Sequence, residues 1–187
     1  FCEEKGIKIA RRLSGGGTVF HDLGNVNFTF VKNLTEGMER AVDYKRYLEP
    51  VRAVLRTLGI ETTYSKRDDL LLQEIKISGN AQHIYQKGLK GLHHGTLLYD
   101  ADLQSLGRAI HSDGEYEGKS VPSNRSDVTN IREWHDIGQT ESFIEQLLVG
   151  FESYFGTSFG ELSPEELLRC EQISREKFSQ DSWILGY

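Results

Sequence analysis

The clearest alternation of apolar and polar positions in the chain lies between Val19 and Val31. Its central residues are Asn25, Val26, Asn27, Phe28, Thr29 and Phe30. Because successive side chains of a strand point to opposite faces, this pattern predicts a strand with one apolar and one polar face. The amides of the polar face can offer both donors and acceptors to a ligand, although amides satisfied within a sheet are the plainer interpretation.

Shorter runs of the same kind predict further strands at Gly6–Leu13, Thr62–Ser65, Asp69–Gln73, Ile75–Tyr85 and Leu92–Tyr99. Polar or glycine-bearing connections separate them. Strands that follow one another at such short intervals favour a mostly antiparallel sheet.

Apolar spacings of three and four predict amphipathic helices. The first spans Asp43–Leu58, ends at Gly59, and carries Pro50, which is expected to kink it or to begin a second segment. Further helices are predicted at Asp102–His111, at Glu141–Phe155 and from Ser163 onward. The sequence therefore predicts one α+β domain over residues 1–187, in which a mostly antiparallel mixed sheet packs with amphipathic helices. The stretch Ser112–Asn124 lacks periodicity and is expected to be a loop, which can close over a ligand as a lid.

Composition narrows the function classes. The chain has 187 residues and a net charge of -6, and it lacks the basic stripe that nucleic-acid binding requires. Protein or small-molecule partners are favoured.

Only Cys2 and Cys170 are present, which predicts no disulfide framework and fits a reducing cytoplasm. No apolar run is long enough to span a membrane. Because the chain begins at Phe1 rather than Met, we expect that it lacks its natural N-terminus.

Two cations and three consecutive glycines form the first cluster with chemical potential. Arg11 and Arg12 precede Gly15–Gly17 by only a few residues. Glycines let the backbone take positive φ and bring its N–H groups close to a ligand. Together with the cations they predict a site for a phosphate or a carboxylate.

A second cluster joins the acids Asp68 and Asp69 to Lys76 and the turn Ser78–Ala81. Carboxylates can share a hard cation such as Mg²⁺ with phosphate oxygens, and a lysine supplies a compact charge for a developing oxyanion. The plainer interpretation is a solvated lysine and acids that cap a turn. His93 and His94 are adjacent on a predicted strand, so their side chains should point to opposite faces and not chelate one metal. His94 can still shape a pocket.

Four segments, RRLSGGGTVFHDLGNVNFTF, RDDLLLQEIKISGNAQ, GLHHGTLL and VTNI, resemble in this order the motifs of the lipoate–protein ligase A family. They extend from Arg11 to about Arg132. The resemblance implies the α+β catalytic core that this family shares with biotin protein ligases. It also implies a two-step reaction, in which ATP and lipoate form lipoyl-adenylate and the acyl group then passes to a lysine of a lipoyl domain.

The resemblance also implies roles for single residues. Lys76 matches the catalytic lysine, which contacts both lipoate and nucleotide. The implied contacts to ATP or lipoyl-adenylate are Arg12, Gly15, Gly16, Gly17, Thr18, Val19, Phe20 and Lys76. The implied lipoate pocket comprises Asn27, Ser78, Gly79, Asn80, Ala81 and His94. Asp69 is implied to lie near Mg²⁺ and phosphate.

The implied partners are lipoyl domains of 2-oxoacid dehydrogenase complexes or the glycine cleavage H protein. The chain departs from the family pattern in carrying Asp68 where members commonly have asparagine. Members also carry a preceding segment whose strands complete the sheet, so we expect either a missing N-terminal segment or a partner chain that supplies it.

Two alternatives stay open. The first is an acyltransferase of the same fold that moves octanoyl or lipoyl groups from a carrier protein. Octanoyl transferases use a cysteine near the lysine, whereas Cys2 and Cys170 lie outside the motifs. A transferase that uses preformed lipoyl-adenylate needs the same pocket and stays open. The second alternative is a non-catalytic module that binds lipoyl-adenylate or a lipoyl domain without turning anything over.

Overall fold

A computed structural model of the protein describes residues 1–35, 43–85, 89–110 and 126–186. The chain forms two compact units: one joins Phe1–Leu13 to Thr157–Tyr187, and the other comprises Ser14–Gly156. One catalytic domain over residues 1–187 stays a prediction. The predicted loop at Ser112–Asn124 lies outside the described residues. In the described part of the chain, no helix is both long and apolar enough to cross a bilayer.

Two three-stranded antiparallel sheets form the frame of the Ser14–Gly156 unit. The strands are β1 (Asn25–Asn33), β2 (Thr63–Tyr64), β3 (Leu70–Leu72), β4 (Ile75–Lys76), β5 (Asn80–Tyr85) and β6 (Lys90–Leu98). The first sheet has the order β1-β6-β5 and the second has the order β2-β3-β4. A single parallel bridge joins Lys76 to Val128. The predicted α+β class with mostly antiparallel pairing is therefore confirmed.

The α-helices are α1 (Tyr44–Thr57), α2 (Leu103–Ala109), α3 (Thr140–Phe155), α4 (Pro164–Ile173) and α5 (Asp181–Ile184). The sequence predicted neither α5 nor the short 3-10 helix at Ile131–Glu133 and the π-helical turn at Ser174–Phe178. The predicted start at Ser163 is confirmed, because its hydroxyl accepts a hydrogen bond from Glu166 N and the Glu166 carboxylate accepts one from Ser163 N.

Helix α1 continues through Pro50 as one element. A proline inside a helix costs about 3 kcal/mol. The helix tolerates it because its inner face is fully buried, through Leu48, Val51, Val54 and Leu55, and each such side chain contributes about 1.5–3 kcal/mol. A second segment beginning at Pro50 was therefore a wrong expectation.

The core of the Ser14–Gly156 unit lies where α1 and α3 pack beside the strands. Tyr99 and Phe143 stack in it with ring centroids 4.3 Å apart, and both are fully buried. The Tyr99 hydroxyl donates to Gly138 O and accepts from Ile137 N. The stack therefore fixes the start of α3 against the end of β6.

The predicted strand Ile75–Tyr85 is wrong as a single element, because residues 77–79 pass from one sheet to the other. Ile77 N donates to Leu70 O in the second sheet. The carbonyls of Ile77 and Gly79 accept from Leu98 N and Thr96 N of β6 in the first sheet. This crossing ties the two sheets together.

One predicted strand start and one whole predicted strand are also wrong. The strand predicted from Val19 begins only at Asn25, because Asp22 closes a turn by accepting Gly24 N on its carboxylate and Asn25 N on its carbonyl. The segment Gly6–Leu13 forms no strand. Its apolar side chains are largely exposed, so no buried face draws it into a sheet.

Candidate functional site

An ion pair between Lys76 and Asp69 forms the centre of the site. Nζ of Lys76 lies 3.1 Å from Oδ2 of Asp69, and the two side chains are 26% and 15% exposed. Ser65 supports the acid, because its hydroxyl accepts from Asp69 N and donates to Oδ2. A lysine held in this way presents a fixed positive charge that solvent only partly screens.

The backbone of Lys76 is held on both sides. Lys76 pairs with Leu71 of β3 on one side. On the other side its N–H donates to Asp127 O, and its carbonyl accepts from Thr129 N. The segment VTNI, whose sequence resembled a family motif, therefore fixes the strand that carries the lysine. Its Asn130 is structural, because the amide bonds both backbone groups of Ala101.

The turn after Lys76 passes close to the ammonium. Ser78 is 1% exposed, and its hydroxyl accepts from Leu70 N and from the Asn80 amide. Gly79 N donates to the hydroxyl of Thr96 at 3.1 Å. A Cβ placed on Gly79 would lie 4.0 Å from Nζ of Lys76, so the backbone of Gly79 passes beside this nitrogen.

One face of the first sheet carries half of the predicted lipoate pocket. In the strand register Asn27 lies opposite Thr96, whereas His94 lies opposite both Thr29 and Ala81. Directly opposite residues of antiparallel strands project from the same face. Asn27, Ala81 and His94 therefore share a face with Thr96, the residue that binds the turn after Lys76.

The glycine loop begins on this same face. Ser14 is buried, and its Oγ lies 2.5 Å from Nε2 of His94. Gly16 follows at a φ of 100°, a conformation that favours glycine. His94 and Thr96 are two residues apart on β6, which corresponds to about 7 Å. The glycine loop and the lysine turn thus attach to neighbouring positions of one strand face.

Asn80, a predicted pocket residue, does not share this face. Asn80 lies opposite Gly95, and its Oδ1 lies where a Cβ of Gly95 would be, on the other face of the sheet. Arg12 belongs to the unit of Phe1–Leu13 and Thr157–Tyr187. Thr18 and Val19 are exposed, whereas Gly17 and Phe20 are half-buried. The sequence predictions included neither Ser14 nor Thr96 among the site residues. The feature that could have identified them is their position inside the SGGG and HHGT motifs.

The departure at Asp68 has a local explanation. Asp68 has a φ of 58°, in the left-handed region that asparagine and aspartate adopt more readily than other side chains. Its carboxylate lies 3.7 Å from Nζ of Lys45. The left-handed backbone at this position therefore favours asparagine and aspartate alike. Lys45 offsets the negative charge that aspartate adds.

The adjacent histidines point to opposite faces, as predicted. His93 is completely buried, with 0% of its surface exposed. Its ring stacks on that of Tyr47 with centroids 4.9 Å apart and meets the ring of Tyr44 edge-on. Among the residues that the structure describes, its two ring nitrogens have no hydrogen-bond partner. Burial, and to a smaller extent the charge of His94, lower the pKa of His93 to about 4. We conclude that His93 is a neutral core residue.

A magnesium site made by protein ligands alone does not form in the described residues, where no group of three His, Cys, Asp or Glu side chains could hold a metal ion. Asp69 offers a single carboxylate beside Lys76. That donor set fits Mg²⁺ that arrives with a nucleotide, because such ions use one or two carboxylates and take their remaining ligands from phosphate and water.

Residues 1–152 match the family described as the lipoyl protein ligase A/B catalytic domain. The lipoate-protein ligase LplJ of Bacillus subtilis is 36% identical to the chain, and the match covers 100% of the chain and 56% of that protein. The chain thus spans about half the length of this relative.

Two solved structures resemble the protein closely in fold. Lipoate-protein ligase A bound with ATP is 27% identical with a TM-score of 0.76, and the match covers 99% of this chain and 74% of that one. The bi-partite lipoate protein ligase of Thermoplasma acidophilum, from a structural analysis that includes its E2 lipoyl domain, gives the same identity and TM-score over 99% and 73% of the two chains.

Proposed function

The chain belongs to the lipoyl protein ligase A/B catalytic domain family, and on that premise we propose that it activates lipoate with ATP and transfers the lipoyl group to a lysine of a lipoyl domain. The observation that carries the proposal is the arrangement on one face of β6. There the glycine loop attaches at His94, and the turn beside Lys76 attaches at Thr96.

In the first step a carboxylate oxygen of lipoate attacks the α-phosphorus of ATP. The new bond is a mixed anhydride, and the bond to pyrophosphate breaks. Lys76 acts as an electrostatic catalyst, because its ammonium opposes the negative charge that gathers on the phosphoryl oxygens. The Asp69 carboxylate holds that ammonium in place. The distance of 3.1 Å between Nζ of Lys76 and Oδ2 of Asp69 supports this role.

In the second step the amine of the acceptor lysine attacks the acyl carbon of lipoyl-adenylate. An amide forms, AMP leaves with the electron pair of the anhydride bond, and the amine loses a proton. Gly79 would bring its backbone beside the reacting carbon, because it has no Cβ at the position 4.0 Å from Nζ of Lys76.

The remaining roles follow the family pattern. Arg12 and the run Gly15, Gly16, Gly17, Thr18, Val19 and Phe20 bind the nucleotide and the acyl phosphate. Asn27, Ala81, His94 and the turn at Ser78–Gly79 line the lipoate pocket. Asn80 contributes through the turn, because its amide donates to Ser78 Oγ and Asp68 O. Ser14 joins the pocket through His94.

Asp69 is the residue that would hold Mg²⁺ together with the phosphates of ATP. The ion supplies neutralisation of phosphate charge. The acceptors we propose are lipoyl domains of 2-oxoacid dehydrogenase complexes or the glycine cleavage H protein, and the compartment is the cytoplasm. The acidic net charge of -6 favours protein acceptors over nucleic acid.

Lipoate-dependent exchange of pyrophosphate into ATP tests the first step, and the mass of an added lipoyl domain tests the second. The full-length gene product should show both. Absence of lipoate-dependent exchange would overturn the proposal. A trapped acyl-thioester on Cys2 or Cys170 would favour an acyltransferase instead, and calorimetric binding of lipoate without exchange would favour a binding module.

A further inference from the structure

The peptide plane between Arg11 and Arg12 is held by the C-terminal helix of the same unit. The indole N–H of Trp183 donates to Arg11 O at 2.8 Å. That carbonyl lies in the planar group that also contains the nitrogen and Cα of Arg12. A donor fixed on Arg11 O therefore sets the plane from which Arg12 begins.

The side chain of Arg11 completes the attachment from the other direction. Its Nε donates to Ile184 O at 2.8 Å. Gly186 has a φ of 83°, and a Cβ there would lie 3.1 Å from the guanidinium of Arg11. Arg11 thus holds the C-terminal segment through its side chain as well as through its carbonyl.

Two neighbours fix the orientation of the Trp183 indole. Phe178 meets it edge-on with ring centroids 5.5 Å apart. Nζ of Lys177 lies 4.2 Å from the centre of the Trp183 ring. Both neighbours come from the π-helical turn Ser174–Phe178, a rare conformation that often marks functional sites.

We propose that Trp183 is a positioning residue for Arg12: its hydrogen bond to Arg11 O holds the peptide plane that presents the Arg12 guanidinium to the nucleotide. This inference rests on the proposed function, in which Arg12 binds ATP. It gives a role to a segment beyond residues 1–152, the part that the catalytic-domain family matches.

The size of the effect follows from one hydrogen bond. Trp183→Phe keeps an aromatic ring between Lys177 and Phe178 but removes the N–H donor. Loss of a typical hydrogen bond should weaken binding of a non-hydrolysable ATP analogue by about three- to fivefold. The same variant in an Arg12→Gln background should bind the analogue no more weakly than Arg12→Gln alone, because Trp183 acts through Arg12.

The experiment is a double-mutant cycle on the full-length protein, with the analogue titrated by calorimetry and thermal unfolding followed for each variant. Trp134→Phe is the matched control, since Trp134 is the only other tryptophan in the chain and its indole donates to Thr129 Oγ1. Its effect on binding should add to that of Arg12→Gln.

A Trp183→Phe effect that persists in the Arg12→Gln background, or an unchanged affinity with a lowered melting temperature, would overturn the inference by reducing Trp183 to a purely structural residue. A wild-type protein that binds the analogue but exchanges no pyrophosphate would sink the proposed ligase activity, while the cycle would still test the role of Trp183. A wild-type protein that does not bind the analogue would overturn both.

Discussion

The ammonium nitrogen of Lys76 and the carboxylate of Asp69 lie 3.1 Å apart, and each side chain is mostly shielded from solvent. The pair joins β4 to the residue that precedes β3. Partial burial matters here, because exposed ion pairs contribute little whereas shielded charges interact over short distances with less screening. The effect of changing either partner should therefore be measurable in both activity and stability.

Lys76→Ala should lower the rate of lipoate-dependent pyrophosphate exchange by about 10²–10³-fold, the range found when a group that stabilises developing charge is removed. Initial rates at saturating ATP and lipoate measure the effect. Lys90→Ala is the matched control, because Lys90 begins β6, at the end away from Thr96. In the part of the chain that the structure describes, its ammonium hydrogen-bonds only to Asn33 Oδ1. Equal losses in the two variants would contradict the role of Lys76.

Asp69→Asn and Asp68→Asn form a matched pair of neighbouring changes. Asp69→Asn should slow exchange and lower the free energy of unfolding by about 1–3 kcal/mol, because it removes the charged acceptor of Lys76. Asp68→Asn should change the free energy of unfolding by less than about 0.5 kcal/mol, since its pair with Lys45 is largely exposed. Urea unfolding and exchange rates check both. A larger loss at position 68 than at position 69 would contradict this assignment.

Gly95→Ala should lower the free energy of unfolding by about 1–3 kcal/mol through overpacking. A Cβ at Gly95 would lie 2.2 Å from Asn80 Oδ1 and 2.4 Å from Phe28 Cζ. Gly107→Ala is the control: it lies in α2 with nothing within 4 Å of its Cβ position, so alanine should stabilise by about 0.5–1 kcal/mol. The midpoints of urea unfolding should move in opposite directions.

The free energy of unfolding should depend on pH through His93. Its pKa is lowered from 6.5 to about 4 by burial. Between these values the unfolded chain binds a proton that the folded protein does not, so stability falls as the pH is lowered from 6.5 toward 4. The loss amounts to about 3 kcal/mol. His93→Phe should remove this slope, whereas His83→Phe, on the other face of the sheet, should leave it. An unchanged slope in His93→Phe would contradict the burial argument.

The sequence predicted those parts of the fold that depend on local patterns. Asn27 and Phe28 alternate because one face of β1 meets the core, and that periodicity is visible without a structure. The arrangement of Ser14 beside His94 depends instead on the register of strands far apart in the chain, which no local pattern encodes.

Asn80 illustrates the same limit at the site. It follows Gly79 within one motif, yet it lies on the face opposite Asn27 and His94, because β5 begins after the crossing at residues 77–79. The face of a strand residue depends on where the strand starts. The positions of α5 and Trp183 were missed for a simpler reason, since four helical residues carry too little periodicity to predict.

The crossing at Ile77–Gly79 also bears on the order in which the protein folds. Ile77 N donates to Leu70 O of β3, seven residues earlier, whereas the carbonyls of the crossing accept from β6, about twenty residues further along the chain. Contacts that close longer loops form more slowly. We therefore expect the hairpin of β3 and β4 to form before β6 docks, so that Lys76 joins the glycine loop only when the whole unit condenses, and early folding intermediates lack a complete site.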